Sequence, residues 1–356
     1  MPKGLEPGEV AKLNYNELRY AHIATKAGEQ QILTADPWAF VQRALNDRLA
    51  KKRGKNRENL ERAIYFADLA EDFYAAANRA DLPTKGTLTY YFMLNLAKAY
   101  IAAKGTELER KQEIHGLSLE HGVTQTVKVH SPTTEVVNIF FEFSKALGAP
   151  VSTTSTVTLL KAFGQIPELH SLYVSLGHST KRKLLPIEYK FLVNGARDRL
   201  FVELSYEKKH ETKVDTSKFL KDARATYFRD GYPRDGWIVY RSKTRRHATK
   251  VNMADCYAKF ISESRKFNIV SLLTRNGYRY YCDLQPGPFH HLSYSLLAMF
   301  YVGAAARYRP LEIKAVLLGD LRPLVSELVT VTPKQFLYQV TSLLTEKVCL
   351  IPLSEI

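Results

Sequence analysis

The sequence predicts an α+β protein with mostly helical N- and C-terminal parts and a small, antiparallel, strand-rich middle. Apolar residues recur at helical spacing between residues 37 and 105 and again after residue 290. Between these stretches, short alternating runs of β-branched and aromatic residues flank Asn-Gly pairs, which favour tight hairpin turns.

The chain has 356 residues, more than one simple core usually spans, so we expect two or three cooperating parts. We divide it into an N-terminal arm, a helical region, a mixed α/β middle region with antiparallel strands, and a C-terminal helical region that packs on the N-terminal helices. These four predicted parts are residues 1–34, 35–120, 121–285 and 286–356.

Three helices are predicted in the helical region. Asp36 followed by Pro37 is a helix-start signal with Asp as the cap, and the helix runs to about residue 51. A second, amphipathic helix spans about 58–80. A third helix covers about 87–105, where a glycine ends it.

The middle region mixes strands with short helices. The alternating run VTQTVKVH predicts a strand, followed by a helix that ends at Gly148 and by two short helices split by Gly164 and Pro167. KLLPIEYKFLV and RLFVELSYEK form a predicted hairpin through Asn194-Gly195, and IVSLLTRNGYRYYCDL contains a second Asn-Gly turn. Three helices are predicted to follow: HHLSYSLLAMFYVGAAARY, PLEIKAVLL and TPKQFLYQVTSLLTE.

Several classes of protein are not signalled. Three separated cysteines without a Cys-x-x-Cys pair argue against a disulfide framework or structural zinc, and suit a reducing cytosol. The sequence contains no glycine-rich nucleotide loop and no Gly-x-Ser-x-Gly nucleophile motif. The start has no signal peptide, and the longest uncharged apolar stretch, Leu292–Ala306, is shorter than the roughly 20 residues that a bilayer demands. We therefore expect a cytoplasmic protein with no membrane contact, no metal and no cofactor.

Charge is the strongest global signal. The chain carries 51 Lys and Arg against 36 Asp and Glu, a formal net charge of +15, which favours contact with a polyanion. The expected partner is RNA, single-stranded DNA or an acidic protein, and a homodimer is a further expectation. Three basic clusters supply the predicted nucleic-acid-binding residues, which are Lys51, Lys52, Arg53, Lys55, Arg57, Lys181, Arg182, Lys183, Arg241, Lys243, Arg245, Arg246 and Lys250.

Aromatic residues lie close in sequence to the third cluster, namely Tyr227, Phe228, Tyr232, Trp237 and Tyr240. Exposed rings beside a basic loop would suit base stacking on single-stranded nucleic acid. The alternative is a solvated loop above aromatic residues that are buried in a sheet.

The third predicted helix, YYFMLNLAKAYIAAKG, carries polar residues in an apolar setting. Tyr91, Asn95 and Lys98 share one face because they are three or four positions apart. Burying a lysine without a partner is costly, so Lys98 must pair with an acid or reach solvent. We predict a structural polar core made by these residues and Arg307; the alternative is a polar cleft that touches a phosphate or a partner chain.

That helix is similar to the tyrosine-rich helix of HEPN-type helical domains, so the region 35–120 is described as HEPN-like. The chain resembles the YaaC-like bacterial family more closely. The resemblance rests on the helix itself, on HGL at His115, on IPEL with a following Tyr173, and on ARY-x-P at Arg307. Ile313 departs from the aromatic residue expected after that proline. The resemblance implies a bacterial cytosolic protein and brings no established reaction with it.

Arg110 and His115 are the predicted catalytic pair, since active HEPN ribonucleases use Arg-x(4–6)-His. In such a pair Arg stabilises phosphate charge and His transfers a proton, without a metal. Arg241 and His247 match the same spacing, and about two matches are expected by chance in this composition. A restriction-type metal site ending in Glu188-x-Lys190 lacks an upstream Asp, so alternating charge on a solvent-facing strand explains that motif more simply.

Three functions remain open from the sequence. The first is a non-enzymatic component that binds nucleic acid or a partner protein through the basic clusters, in a bacterial antiviral defence assembly. The second is a metal-independent HEPN-type ribonuclease. The third is a dimerising scaffold without nucleic-acid contact.

Overall fold

The predicted α+β fold class is confirmed, because helices and antiparallel strands both form extensive structure. The computed structural model describes residues 6–23, 31–82, 84–180, 182–210, 222 and 226–352. The helices are α1 (Pro37–Leu49), α2 (Lys55–Asn78), α3 (Thr84–Ala103), α4 (Ile139–Ala146), α5 (Leu159–Phe163), α6 (His170–Ser175), α7 (Met253–Ser264), α8 (His291–Tyr308), α9 (Pro310–Leu318) and α10 (Arg322–Thr345).

The strands are short in the first part of the chain and longest near its middle. They are β1 (Glu9–Val10), β2 (Lys12–Leu13), β3 (Asn16–Glu17), β4 (Gln31–Leu33), β5 (Glu113–Ile114), β6 (Leu117–Leu119), β7 (Thr126–Val129), β8 (Val137–Asn138), β9 (Ser155–Thr158), β10 (Leu184–Val193), β11 (Arg199–Glu207), β12 (Phe228–Asp230), β13 (Trp237–Ser242), β14 (Arg246–His247), β15 (Ile269–Thr274), β16 (Gly277–Asp283) and β17 (Val348–Leu350).

The described residues group into two compact units, each assembled from separate stretches of the chain. The sheet unit takes its residues from Met1–Leu33, Ser179–Pro286 and Glu346–Ile356. The helical unit consists of Thr34–His178 and Gly287–Thr345. The four consecutive parts expected from the sequence stay a prediction.

An antiparallel sheet forms the sheet unit, with the strand order β12-β13-β11-β10-β16-β15. β1 adds to β10, and β14 adds to β11. One face carries the core, in which Tyr189 and Phe191 of β10 lie beside Val202 and Leu204 of β11 and pack on α7. The ring of Tyr257 in α7 packs at a tilt against that of Phe191, with centroids 4.8 Å apart. Since successive strand residues point to opposite faces, Glu188 and Lys190 lie on the face away from α7.

Both predicted Asn-Gly hairpins are present. β10 and β11 are joined by a turn in which the Asn194 side chain bonds Asp198, and Arg197 adopts a left-handed φ of 56°. β15 and β16 pair as far as Thr274 opposite Gly277, whose φ of 87° is costly for other residues. Local turn chemistry therefore fixes the two longest hairpins.

The helical unit is built around α3, which packs against α2, α4, α8 and α10. Fourteen of its residues are buried, so it has no clean polar face. α3 and α8 approach closely at Gly303, where an added Cβ would stand 3.2 Å from the Thr87 Cα atom. Small antiparallel strands β6, β7 and β9 complete the unit, with β5 paired parallel to β8.

Helix boundaries differ from the prediction where packing outweighs local signals. α1 begins as predicted, with Asp36 accepting a hydrogen bond from the Trp38 N–H at 3.1 Å. α10 starts at Arg322, upstream of the predicted start, and continues through Pro333, although proline removes one helical hydrogen bond. Burial of Pro333 and Phe336 in the core offsets that loss. α7 was not predicted, and its mixed sequence MADCYAKFISES becomes amphipathic only against the sheet.

Candidate functional site

Asn95 sits near the middle of α3 and is buried. Its Nδ2 atom donates to the backbone oxygen of Tyr91 at 2.8 Å, one turn earlier in the same helix. The amide therefore satisfies itself locally, as polar side chains in buried helices commonly do. Asn95 makes no described bond to another helix or to a ligand-facing group.

Lys98 is held by an ion pair. Its Nζ atom lies 2.7 Å from Oε2 of Glu113, and the two side chains are 17% and 19% exposed. The ammonium also stands 4.1 Å from the centre of the Phe66 ring. Glu113 uses its other oxygen to accept from the Glu109 N–H at 2.8 Å. The lysine that the sequence placed in an apolar helix is thus neutralised within the protein.

Arg307, in the last turn of α8, is bound differently. Its Nε atom donates to the Gly303 oxygen at 3.1 Å and its Nη1 atom donates to the Tyr91 hydroxyl at 2.6 Å. Both acceptors are neutral, and Arg307 has no carboxylate partner in the part of the chain that the structure describes. The predicted polar core thus joins Tyr91 and Arg307 across two helices, while Asn95 and Lys98 make separate contacts.

His115 lies in the turn between β5 and β6, with part of its side chain at the surface. Its Nδ1 atom is 2.9 Å from the hydroxyl of Tyr90 in α3. The next residue must be glycine, because Gly116 has a φ of 78° and an added Cβ would collide with the Asn138 side chain. Phe140 donates its N–H to the His115 oxygen at 3.2 Å, which fixes the backbone on the other side.

Electrostatics favour the neutral form of His115. Desolvation of the buried part of its ring lowers its pKa, and the positive charges of Arg307 and Lys98 lower it further. Lys98 is paired with Glu113, whereas Arg307 is not paired with an acid, so the local field at the imidazole is positive.

Arg110 belongs to an ion-pair network at the surface. Its guanidinium lies 2.6 Å from Glu58 and 3.2 Å from Glu107. No contact between Arg110 and His115 is described within residues 84–180. Catalysis by this pair stays a prediction, and the arginine whose charge acts on His115 is Arg307.

The first basic cluster occupies the loop between α1 and α2 and the start of α2. Lys55 pairs with Glu107 at 3.4 Å and Arg57 pairs with Glu61 at 3.0 Å. The preceding residues Lys51, Lys52 and Arg53 are exposed and have no acidic partner among the described residues. Part of this predicted surface is therefore free to meet a polyanion.

The second cluster is divided by burial. Lys181 lies outside the described residues. Arg182 is exposed at the start of the sheet unit's longest strand. Lys183 is 12% exposed and pairs with the buried Asp283 at 3.1 Å. Only Arg182 of these described residues remains accessible.

The third cluster is divided by strand register. Arg241 is only 2% exposed and binds Glu203, the residue directly opposite on β11, with Nε and Nη2 at 2.9 and 2.8 Å. Arg246 forms an ion pair with Glu263. Lys243, Arg245 and Lys250 are exposed, so the accessible charge lies between and after the two paired arginines.

Arg245 stands in a group of arginines that the sequence does not reveal. Desolvation lowers its pKa, and the charges of Arg229 and Arg241 lower it further; Glu6 raises it, by more than Arg199 lowers it. Arg229 lies directly opposite Arg241 across the β12–β13 pair. We call the exposed members Arg199, Arg229 and Arg245 the arginine group. The strand register brings these arginines together. Arg229 can therefore be recognised as a member of the group only when the strand pairing is known.

The aromatic residues near this segment are only partly available. Phe228 and Tyr240 belong to the core of the sheet unit. Trp237 is half-buried, and the guanidinium of Arg234 lies 3.6 Å from its ring centre. The aromatic stacking surface predicted from sequence is thus reduced by burial, and the alternative of a basic loop over buried rings describes Phe228 and Tyr240.

The comparisons with known proteins define the family. The model of the family described as YaaC-like Protein matches residues 26–344. This chain belongs to the YaaC-like family. Neither a curated protein nor a solved structure matches it. The HEPN-type resemblance of the region 35–120 stays a prediction.

In this YaaC-like chain, the ARY-x-P segment has two structural tasks. Arg307 bonds Tyr91, while Arg309 donates to the Glu120 oxygen at 2.7 Å and pairs with Glu312 at 3.2 Å. Glu312 also accepts from the Tyr301 hydroxyl at 2.6 Å. The segment therefore fastens the turn before β7 to α8 and α9.

Glu188 and Lys190, which end the restriction-type motif, both lie on β10. The two side chains pair with each other at 2.9 Å on one strand face, and Arg234 lies 2.9 Å from the same carboxylate. Both cations thus contact Oε2, one of the two carboxylate oxygens that could bind a metal. Within the described ranges, no group of three acidic, cysteine or histidine residues could hold a metal ion, and no helix has the length and apolarity to span a membrane.

Proposed function

We propose that this YaaC-like protein is a nucleic-acid-binding component that contacts the phosphates of single-stranded RNA or DNA through its sheet unit. The observation that carries the proposal is the arginine group. Arg199, Arg229 and Arg245 are exposed, and the pKa of Arg245 is lowered because its buried part loses water and other arginines surround it. The wider proposal places this component in the bacterial cytoplasm, in a defence assembly.

The chemistry of the arginine group suits phosphate. A guanidinium presents a planar set of donors that matches two phosphate oxygens. Arg199 is 3.8 Å from its exposed neighbour Asp198, a contact that contributes little in water. The arginines therefore repel one another in the free protein, and a phosphate chain would relieve that repulsion while releasing its own counterions.

The helical unit offers a second basic surface. Lys51, Lys52 and Arg53 are consecutive, exposed and without acidic partners in the described part of the chain. Long side chains on a turn contact a flexible phosphate backbone without reading its sequence. We propose that this loop adds affinity and no sequence preference.

The test is binding of a labelled single-stranded oligonucleotide, followed by anisotropy at rising salt. The double substitution Arg229→Gln and Arg245→Gln removes two charges that have no ion pair within the described ranges. The slope of log K against log salt should therefore become shallower by about 1.4. The matched control exchanges Arg19→Gln with Arg197→Gln, which are exposed and already paired with Glu17 and Glu9. It changes net charge equally and should leave the slope nearly unchanged.

Absence of binding at low salt would overturn the proposal and would favour the dimerising scaffold, which light scattering detects. Binding of an acidic protein with no affinity for either oligonucleotide would replace nucleic acid with a protein partner. RNA and DNA should be compared with the same sequence.

The metal-independent ribonuclease remains the alternative. Its predicted pair is not supported by the position of Arg110, whose guanidinium is bound by Glu58 and Glu107. Incubation of the protein with labelled RNA in EDTA tests this function. Cleavage that is lost in both Arg110→Ala and His115→Ala would establish the pair, and cleavage that persists in both would remove it.

A further inference from the structure

Four side chains of the helical unit form one connected polar group. Tyr90 and His115 are joined at 2.9 Å, Tyr91 and Arg307 are joined at 2.6 Å, and the rings of the two adjacent tyrosines lie 5.6 Å apart. None of these four residues belongs to the arginine group or to the basic loop. What matters for recognition is which hydrogen atoms remain unused.

The proton position on His115 follows from the burial of Tyr90. The Tyr90 side chain has no exposed surface, and burial raises its pKa, so its hydroxyl keeps its proton and cannot give it to water. Among the described residues, His115 Nδ1 is the acceptor that the structure provides for this hydroxyl. Tyr90 therefore donates to Nδ1, and the neutral imidazole carries its own proton on Nε2. Nε2 has no bonded partner in the described ranges.

Tyr91 and Arg307 leave further donors unused. Nη1 of Arg307 donates to the Tyr91 hydroxyl, so the hydroxyl hydrogen is free to point elsewhere. The Nη2 atom of Arg307 has no bonded acceptor among the residues described. Both side chains are partly exposed. Three neighbouring residues thus present N–H or O–H groups that have no bonded acceptor among the described residues.

The acid nearest to His115 in the sequence, Glu113, is already bonded by other donors. Glu113 accepts from Lys98 at 2.7 Å and from the Glu109 N–H at 2.8 Å, so each oxygen already has a donor. Arg307 lies over the rings of Tyr91 and Tyr308 at 5.2 and 4.9 Å, contacts that do not neutralise its charge. A partly buried guanidinium without a counter-anion is stabilised when an anion from solution binds it.

We propose that Tyr91, His115 and Arg307 form a binding site for a phosphate-class oxyanion. Arg307 supplies the positive charge, while the Tyr91 hydroxyl and His115 Nε2 supply directional donors to the remaining oxygens. Most oxygens of a phosphate-class oxyanion are hydrogen-bond acceptors, which matches the unused donors of these three residues. The assignment also argues against His115 as a general base, because a ring nitrogen that already carries a proton cannot accept one from a substrate hydroxyl.

The probe is inorganic phosphate, and the readout is the NMR titration of the His115 ring. Bound phosphate offsets the charge of Arg307, so the His115 resonance should shift saturably and its pKa should rise towards the ordinary value. Arg307 and Lys98 are the charged groups that act on this ring, and Lys98 is already paired with Glu113. An unchanged His115 resonance across the titration would overturn the proposal.

Variants distinguish a site from general charge. Arg307→Gln should weaken phosphate binding about tenfold or more, and Tyr91→Phe about threefold to tenfold, since charged hydrogen bonds exceed neutral ones. Arg307→Lys should restore part of the affinity. Arg43→Gln, an exposed arginine of α1 that is 3.9 Å from Asp47, is the matched control. Equal phosphate affinity in Arg307→Gln and the wild type, with native-like methyl spectra in both, would refute the site.

Two sources of the anion are separated with oligonucleotides. Saturation of the His115 shift by a 5′-phosphorylated strand, but not by its 5′-hydroxyl form, would assign the site to a nucleic-acid end. Saturation by inorganic phosphate alone would assign it to a free anion. The proposal does not depend on the arginine group, so loss of oligonucleotide binding in Arg229→Gln with Arg245→Gln leaves the phosphate titration unchanged.

Discussion

The basic loop between α1 and α2 and the basic segment that begins at Arg241 look alike in sequence and differ in structure. The loop exposes Lys51, Lys52 and Arg53 without acidic partners among the described residues. In the second segment, Arg241 is buried against Glu203 and Arg246 is paired with Glu263. Basic residues that follow one another on a turn all remain exposed. Where such residues enter a strand, the register decides which of them pair with acids and which face solvent.

The comparison shows that the net charge overestimates how many basic residues can bind a polyanion. Strand pairing places Glu203 opposite Arg241, so that arginine serves the fold. The same pairing places Arg229 opposite Arg241 from the other side and thereby adds an exposed arginine that no sequence cluster contains. Pairing with carboxylates, rather than the number of cations, decides which residues can meet a polyanion.

The largest expected effect separates the two regions by stability. Arg241→Met leaves the mostly buried Glu203 without its cation and should lower the free energy of unfolding by about 3–5 kcal/mol. Lys52→Met, on the loop, should change it by less than about 0.5 kcal/mol. Urea denaturation of the two variants measures both values. Similar losses in both would show that the paired and unpaired cations are energetically alike.

The stability of the helical unit should depend on pH through a buried histidine, His291. Burial of His291 lowers its pKa to about 4, and its Nε2 lies 2.9 Å from Gln339. The unfolded chain binds a proton near pH 6.5 and the folded chain does not, so stability should fall between about pH 6.5 and 4 by about 3 kcal/mol. Below about pH 4 this loss is complete.

Denaturation of the wild type and His291→Gln across that range measures the contribution. The free energy of unfolding should decrease less on acidification in His291→Gln than in the wild type. In His115→Gln it should decrease nearly as much as in the wild type. Identical pH profiles for the wild type and His291→Gln would contradict the assignment.

A smaller effect is expected for the ion pair at Lys98. Lys98 and Glu113 are mostly buried, so a double-mutant cycle with Lys98→Met and Glu113→Gln should give a coupling energy of about 1 kcal/mol or more. The exposed pair Arg43–Asp47, at 3.9 Å, should give about 0.5 kcal/mol or less. Equal coupling energies would mean that burial does not strengthen the pair.

The smallest effects distinguish two adjacent arginines. Arg245→Gln should weaken oligonucleotide binding about fivefold at low salt and leave stability within about 0.5 kcal/mol. Arg246→Gln removes the partner of Glu263 and should lower stability by about 1 kcal/mol with little change in binding. Anisotropy and urea denaturation of both variants provide the comparison; the opposite pattern would exchange their roles.

Local signals in the sequence predicted local structure well. The Asp36 cap and the Asn-Gly hairpins depend on a few adjacent residues, and both are present. α7 was missed because its amphipathic face exists only against the sheet. Of the three residues in the proposed oxyanion site, Tyr91 and Arg307 belong to the structural polar core that the sequence predicts.

The rest of the candidate site depends on distant pairings. The bond between Tyr90 and His115 joins α3 to a turn, and the approach of Arg229 to Arg245 follows from strand order. Neither spacing nor composition encodes which residue faces another across separate elements. The two units are also each assembled from separated stretches of chain, so long-range packing decides which stretches belong together.

The most direct measurement compares unpaired with paired cations at equal net charge. The salt slope for single-stranded RNA is determined for two quintuple Gln variants, one exchanging Lys51, Lys52, Arg53, Arg229 and Arg245. The other exchanges the exposed, carboxylate-paired residues Arg19, Arg57, Lys145, Lys190 and Arg197. The first slope should become shallower by about 3.5 and the second by less than about 1. An equal change in both would show that total charge, and not pairing, governs binding.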